Sequence, residues 1–291
     1  MLFLRLLWKF YLSNKCQINF ISEIANLSNH GFIFNDFYYF NRISSTQDFA
    51  YKIIQRKNKI RPSVIICNTQ SRGKGRKGYL WSSPKGGIWM SIFLETVMKL
   101  EDLFFFAMVS AICICETIEK KTNLKPKLKW PNDIFVNGKK LAGILLDVQT
   151  TPDNCKNKVI IGMGINTNND LNMTKSKIQR DHQYYYQITT LKDEVDEPTI
   201  SNVHILSSLL NSLSIYLSKI DRDDSVKELV QKNYQQRIME SKDHLNYSFN
   251  VDDMEFDGEI VDVDVDGSLL VKDIRQQKII SISSANSVNL K

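Results

Sequence analysis

The sequence predicts an α+β fold, in which strands interleave with helices and a small all-β unit follows. Three observations carry that expectation. Short apolar runs bounded by turn residues, "SVIICN" (63–68), "GIWMSIFLE" (87–95) and "KVIIGMGIN" (158–166), read as buried strands. Longer stretches with helical spacing lie between and after them. Beyond residue 245 the chain alternates apolar and acidic residues, as in "GEIVDVDVDGSLLVKD", the period of a strand with one wet face.

In chain order, Ser44 and Ser45 stand as hydroxyl caps before the helical "TQDFAYKIIQRK". "EDLFFFAMVSAICICETIEK" is apolar on all sides and reads as a buried helix. "DIFVNGKKLAGILLDVQ" holds Asn137-Gly138 between two apolar runs, a strong hairpin signal. Residues 167 to about 200 are polar and irregular, and read as a loop insertion. "SNVHILSSLLNSLSIYLSKI" and "DSVKELVQKNYQQRI" are two amphipathic helices. Asp266-Gly267 turns a second hairpin, and "KIISISS" completes a partly open β unit. The expected division is an N-terminal extension over 1–35, a main domain over 36–243 and a β domain over 244–291.

At 291 residues and 43% hydrophobic, the chain can bury a sizeable core. Its formal charge of +6 suits anionic ligands without implying a bulk nucleic-acid binder. The five cysteines include no C-x-x-C pair, so neither a zinc site nor a disulfide framework is expected. The N-terminal "MLFLRLLWKFYLSNKCQINFI" carries Arg5, Lys9 and Lys15 and no acid before Glu23. It lacks the clean apolar core of a signal peptide and is too interrupted for a membrane span. A packed helix and an organellar leader both remain open; the expected location is cytoplasmic, or mitochondrial or another organellar matrix if residues 1–30 are a leader.

"RGKGRKGYLWSSPKGGIW" (72–89) fits G-x-G-x-x-G through Gly73, Gly75 and Gly78. A dinucleotide turn requires a helix to follow, and Pro84 with Gly86-Gly87 forbids one. A Walker A loop requires Lys-Ser/Thr after the last glycine, where Tyr79-Leu80 stands instead. What remains is a donor-rich loop between strands, with Lys74, Arg76 and Lys77 able to meet a carboxylate or phosphate. Taken alone it could equally be a solvated basic loop.

"KLKWPNDIFVNGKKLAGILLDVQ" (127–149) is more specific. Asn132 offers an amide that can read an adenine edge, and Asp133 can orient a lysine or Mg²⁺. The hairpin brings Lys140, eight residues after Asn132, back to the same sheet edge.

"TQSRGKGRKGYLWSSPKGG", "KWPNDIFVNGKKLAGIL" and "VIIGMGINTN" resemble, in order and spacing, the three signature blocks of the biotin–protein ligases, or holocarboxylase synthetases. With "SSTQD" ahead and the β unit behind, the resemblance covers about residues 40 to 285. It implies a central mixed sheet flanked by helices, like class II aminoacyl-tRNA synthetases, and a C-terminal SH3-like β-barrel domain. It also implies activation of biotin by MgATP to biotinyl-5′-AMP, then transfer to a lysine of the biotin carboxyl carrier domain of a carboxylase.

Carried over by residue, the resemblance implies that Ser45, Thr46 and Gln70 hold the biotin ureido group. Gly73, Lys74, Gly75 and Arg76 form a lid over biotin and the phosphates, and Gly143 borders biotin. Lys140 bridges carboxylate and α-phosphate, with Arg76 and Asp133 completing the catalytic set. Trp81, Asn132 and Asn166 bind the adenylate, together with Arg76 and Lys140. No protein-held metal is expected. Lys74 and Tyr79 stand where the bacterial loop has arginines, and Gln47 where asparagine is usual; a bidentate phosphate contact is lost at 74. Trp81 and Trp130 could instead be core aromatics and Asn166 a strand-ending turn residue. Cys113, Cys115, His182 and His204 receive no role.

A repressor-ligase would carry a DNA-binding domain before the catalytic core, and about 40 residues ahead of Ser45 are too few, so no DNA binding is expected. No membrane partner is expected, and a homodimer is compatible with the sequence. A lipoate–protein ligase of the same fold is the nearest alternative; "KWPND" with "KLAGIL" favours biotin.

Overall fold

The structure is a computed structural model of the chain and describes residues 22–24, 33–56, 60–150, 156–172, 187–238, 247–251, 254–283 and 287–290. An eight-stranded sheet has the order β1 (Asp36–Ile43), β2 (Ser63–Lys74), β4 (Ile88–Thr96), β8 (Asn157–Ile165), β7 (Lys139–Thr150), β6 (Asp133–Val136), β5 (Lys127–Lys129), with β3 (Leu80–Ser83) paired to β2 alone. β1 runs parallel to β2 and the other pairs are antiparallel, so the sheet is mixed as expected.

Helices cover both faces. α1 (Thr46–Arg56) packs on β2, β4 and β8, and Ser45 caps it by accepting from the Asp48 amide (3.4 Å). α2 (Phe105–Lys121) lies on the opposite face against β6, β7 and β8. It is buried almost all round because α4 (Asn202–Leu217) and α5 (Asp224–Arg237) cover its outer side. β4 lies inside the sheet and is apolar on both faces from Ile88 to Leu94 except at Ser91 for that reason.

Two regions differ from the sequence reading. β2 does not end at residue 68 but runs to Lys74, and β3 returns beside it, so the glycine stretch is an extended hairpin closed by a short 3-10 turn at Arg76–Gly78. Its first half is apolar and pairs with both β1 and β4; its second half, "NTQSRGK", is polar, runs past the end of the β4 pairing, stays beside β1 to Gln70 and then pairs with β3 alone. The supposed insertion is also built, in part, into the sheet. Ile188 forms a parallel bridge with Lys140, and the short α3 (Leu191–Val195) follows. The proposed N-terminal helix or leader over residues 1–21 lies outside the described residues, as do Cys16, Cys155 and His182.

The C-terminal strands form a separate antiparallel sheet of five, ordered β12 (Ile279–Ile282), β11 (Leu269–Asp273), β10 (Met254–Val263), β9 (Tyr247–Val251), β13 (Ser287–Leu290). Its buried residues Phe249, Val263, Leu269 and Val271 join the main apolar core. The β10–β11 turn docks beside the Trp-Pro-Asn-Asp segment, where Trp130 Nε1 donates to the Gly267 carbonyl (2.8 Å) and Tyr234 OH to the Pro131 carbonyl (3.0 Å). Gly267 has φ +86°, and a Cβ there would overlap the Phe104 ring. Gly267→Ala is therefore expected to destabilise the chain by about 1–3 kcal/mol through backbone strain alone. Denaturant unfolding should show a lower midpoint; an unchanged midpoint would mean that residue 267 neither holds this positive φ nor packs on Phe104.

Candidate active site

The β2–β3 hairpin overhangs a cavity of about 200 Å³ whose floor is the start of β7 and the end of β8. At one end is a polar network around the start of α1, made of hydroxyls and amides where it lines the cavity. Gln70 Oε1 accepts from the Thr46 amide (2.8 Å) and hydroxyl (3.1 Å), and Gln70 Nε2 donates to Ser83 (2.8 Å). The single Ser91 hydroxyl proton faces both Thr46 Oγ1 (2.8 Å) and Gln47 Oε1 (3.0 Å), and Gln47 Nε2 donates to Asp147 (2.9 Å). These buried groups satisfy one another, which fixes their orientation before any ligand arrives.

The floor is made of glycine. Gly143 and Gly164 are register partners on β7 and β8, and the Trp81 indole lies on them. A Cβ on Gly143 would come within 2.8 Å of the ring, and one on Gly164 would collide with Trp81 Nε1. Only glycine lets a flat ring approach this closely. Trp81 Nε1 is buried there with no hydrogen-bond partner, as an N–H reserved for a ligand or for a moved ring would be.

The charged end follows from a β-bulge. Ile134 pairs with Ala142 but Phe135 pairs with Lys140, so Leu141 is the extra residue in β7. Leu141 and Ala142 both enter the core, and Lys140 and Gly143 both line the cavity. Lys140 Nζ lies 2.6 Å from Asp133 Oδ2, with both side chains mostly buried, and 5.2 Å from the Trp81 ring centre. Asp133 Oδ1 is buried without a partner. Arg76 reaches across from the hairpin to Asn132 Oδ1 (3.4 Å), while Asn132 Nδ2 donates to the Ile144 carbonyl (2.7 Å). Burial lowers the Arg76 pKa, opposed by the charge of Asp133 and by Tyr234.

All the residues expected at the site line this cavity except Gly73 and Asn166. Gly73 sits behind Trp81, where a Cβ would strike the Trp81 carbonyl. Asn166 is buried at the end of β8 and accepts from Asn169 (3.1 Å). Lys74 turns toward α1 and forms an ion pair with Asp48. Residues missed from sequence are Ser91, Ser83 and Gly164, and Gln47 was noted there only as a departure from the family pattern. The one readable signal was Ser91, a lone hydroxyl inside an apolar strand. Cys113 and Cys115 are fully buried core residues as expected, and burial pushes the Cys115 thiol up to about 12 and Cys113 well above its ordinary value, which disfavours the thiolate. Among the described residues no group of three His, Cys, Asp or Glu could hold a metal ion.

Residues 39–166 match the biotin/lipoate A/B protein ligase family. The bifunctional ligase/repressor BirA of Bacillus subtilis is 35% identical over 135 residues, 46% of this chain and 41% of that protein. The chloroplastic biotin–protein ligase 1 of Arabidopsis thaliana is 32% identical over 139 residues, 44% of this chain and 35% of that protein. The chain thus matches less than half the length of these curated relatives. A biotin protein ligase from Aquifex aeolicus, solved with biotin and ATP, shares the fold with a TM-score of 0.69 at 23% identity, covering 89% of this chain and all of that one. The cavity is built from residues inside that matched segment, so the similarity to the biotin/lipoate A/B protein ligase family extends to the candidate site itself.

Proposed function

We propose that the chain is an ATP-dependent biotin–protein ligase, with a catalytic domain over 36–243 and a β domain over 244–291. The observation that carries this reading is one cavity joining a hydroxyl–amide end (Ser45, Thr46, Gln70) to a cationic end (Arg76, Lys140) across a glycine floor. A fused ureido ring has N–H donors and a carbonyl that suit the first end. A valeryl chain then passes over the floor and delivers its carboxylate to the second. The dithiolane ring of lipoate offers no such hydrogen bonds, which disfavours the lipoate reading.

In the proposed reaction a biotin carboxylate oxygen attacks the α-phosphorus of MgATP, the bond to the β-phosphate breaks, and pyrophosphate leaves. A carrier-domain lysine amine then attacks the acyl carbon, loses a proton, and AMP departs. Both steps bring anions or a poor nucleophile together, so positioning and fixed positive charge are the useful tools. Lys140 is the proposed bridge between carboxylate and α-phosphate, released from Asp133 as the ligand charge replaces it. Arg76 closes the hairpin over the phosphate; Trp81 and Asn132, which line the cavity, are proposed for the adenylate. Mg²⁺ enters with ATP, and Asp133, the only carboxylate among the described lining residues, is the group that could meet it. The proposed acceptors are biotin carboxyl carrier domains. No described helix is long and apolar enough to cross a membrane.

Pyrophosphate exchange into ATP, with biotin or lipoate as the only added acid, tests the assignment. Exchange with biotin alone is expected; exchange with lipoate alone would reassign the substrate, and exchange with neither would remove the reaction class. Lys140→Ala should slow biotin adenylation on the order of 10²-fold, as loss of a charge-stabilising donor does. Transfer from pre-made biotinyl-AMP should suffer less. Near-normal adenylation by that variant would take Lys140 out of the mechanism.

A further inference from the structure

Lys140 sits where β7 has outrun β8, for the last pair between them is Ala142 with Ile165. Its backbone groups on that side are taken up by the segment after the site: Lys140 N donates to the Gln187 carbonyl (2.8 Å), and Thr189 N donates to the Lys140 carbonyl (3.0 Å). One carboxylate ties this segment to the hairpin. Glu194 Oε1 accepts from Thr189 Oγ1 (2.5 Å) and Lys139 Nζ (3.0 Å), and its Oε2 accepts from Asn137 Nδ2 (2.7 Å). The Glu194 side chain is 5% exposed, so an unpaired charge there would be costly, and its three donors flank Lys140 on both sides. Burial raises the Glu194 pKa, but the hydrogen bonds from Thr189, Asn137 and Lys139 outweigh it and leave the carboxyl below its ordinary value. Leu191 and Lys192 amides hold the other side of the segment, donating to the Asn166 (2.9 Å) and Thr167 (3.1 Å) carbonyls.

We propose that Glu194 is a positioning residue: by clamping residues 187–189 to the 137–139 turn, it fixes the backbone from which Lys140 reaches the cavity. The catalytic consequence rests on the role proposed for Lys140; the clamp itself does not. A lysine side chain has four rotatable bonds, so its ammonium is only as well placed as its backbone and its partners make it. The β7 bulge leaves Lys140 at a sheet end, where local opening is easiest. Glu194 closes that end.

The test uses the full chain carrying Glu194→Gln, which turns one acceptor oxygen into a donor and sets it against Asn137, or against Thr189 and Lys139. Residue-resolved hydrogen exchange should show the Lys140 and Thr189 amides losing about tenfold or more of their protection, with β7 amides paired to β8 unchanged. Thr189→Val, which removes the shortest bond to Glu194, should give the same local loss. In pyrophosphate exchange with biotin, Glu194→Gln should lower kcat and leave the KM for biotin within about twofold. In a Lys140→Ala background it should cost nothing more, since the two act as one unit. Unchanged protection at Lys140, or loss spread evenly through β7 and β8, would overturn the clamp. Additive losses in the double variant would overturn its action through Lys140. If the unmutated chain shows no biotin-dependent exchange, the ligase reading falls, while hydrogen exchange still decides the clamp.

Discussion

Between Ala142 and Lys140, β7 carries one residue more than its partner β6, and that extra residue, Leu141, reverses which side chains face inward. Strict alternation would put Lys140 on the same side as Ala142, in the apolar core. The bulge sends Leu141 and Ala142 into the core together and leaves Lys140 and Gly143 together in the cavity. The candidate site rests on this. A buried ammonium needs a partner, and Asp133, at the start of β6, is placed to give it one. A flat ring needs a floor without side chains, and Gly143 with Gly164 supplies it.

The rest of the fold holds these groups still. The polar network of Thr46, Gln70 and Ser91 pins the start of α1 to the sheet. The C-terminal sheet meets the segment just before Asn132 through Trp130 and Gly267. The hairpin, by contrast, is joined to the floor chiefly through the Trp81 ring and the long Arg76–Asn132 contact. Among the described residues five buried side-chain atoms lack a hydrogen-bond partner, and two of them, Trp81 Nε1 and Asp133 Oδ1, belong to residues that line the cavity, where a ligand would lie.

Much of this was legible in the sequence, for identifiable reasons. Asn137-Gly138 adopts positive φ at both residues, as that dipeptide predicts for a tight hairpin. The buried helix over Phe105–Lys121 followed from apolar residues on every side. What could not be read was non-local. The extension of β2 to Lys74 is invisible because polar residues that leave a sheet look like a loop. The docking of residues 187–189 on Lys140 depends on where β8 stops. The bulge at Leu141 shows in "KKLAG" only as two apolar residues in a row. Asn166 was placed at the site by the signature blocks alone; its side chain accepts from Asn169 and is not among the residues lining the cavity.

The most direct test is a crystal structure of the full chain grown with biotin. Its ureido ring is expected against Thr46 and Gln70, with its carboxylate within hydrogen-bond distance of Lys140 Nζ. Biotin bound elsewhere, or bound with its carboxylate away from Lys140, would contradict the assignment of this cavity and of its central charge.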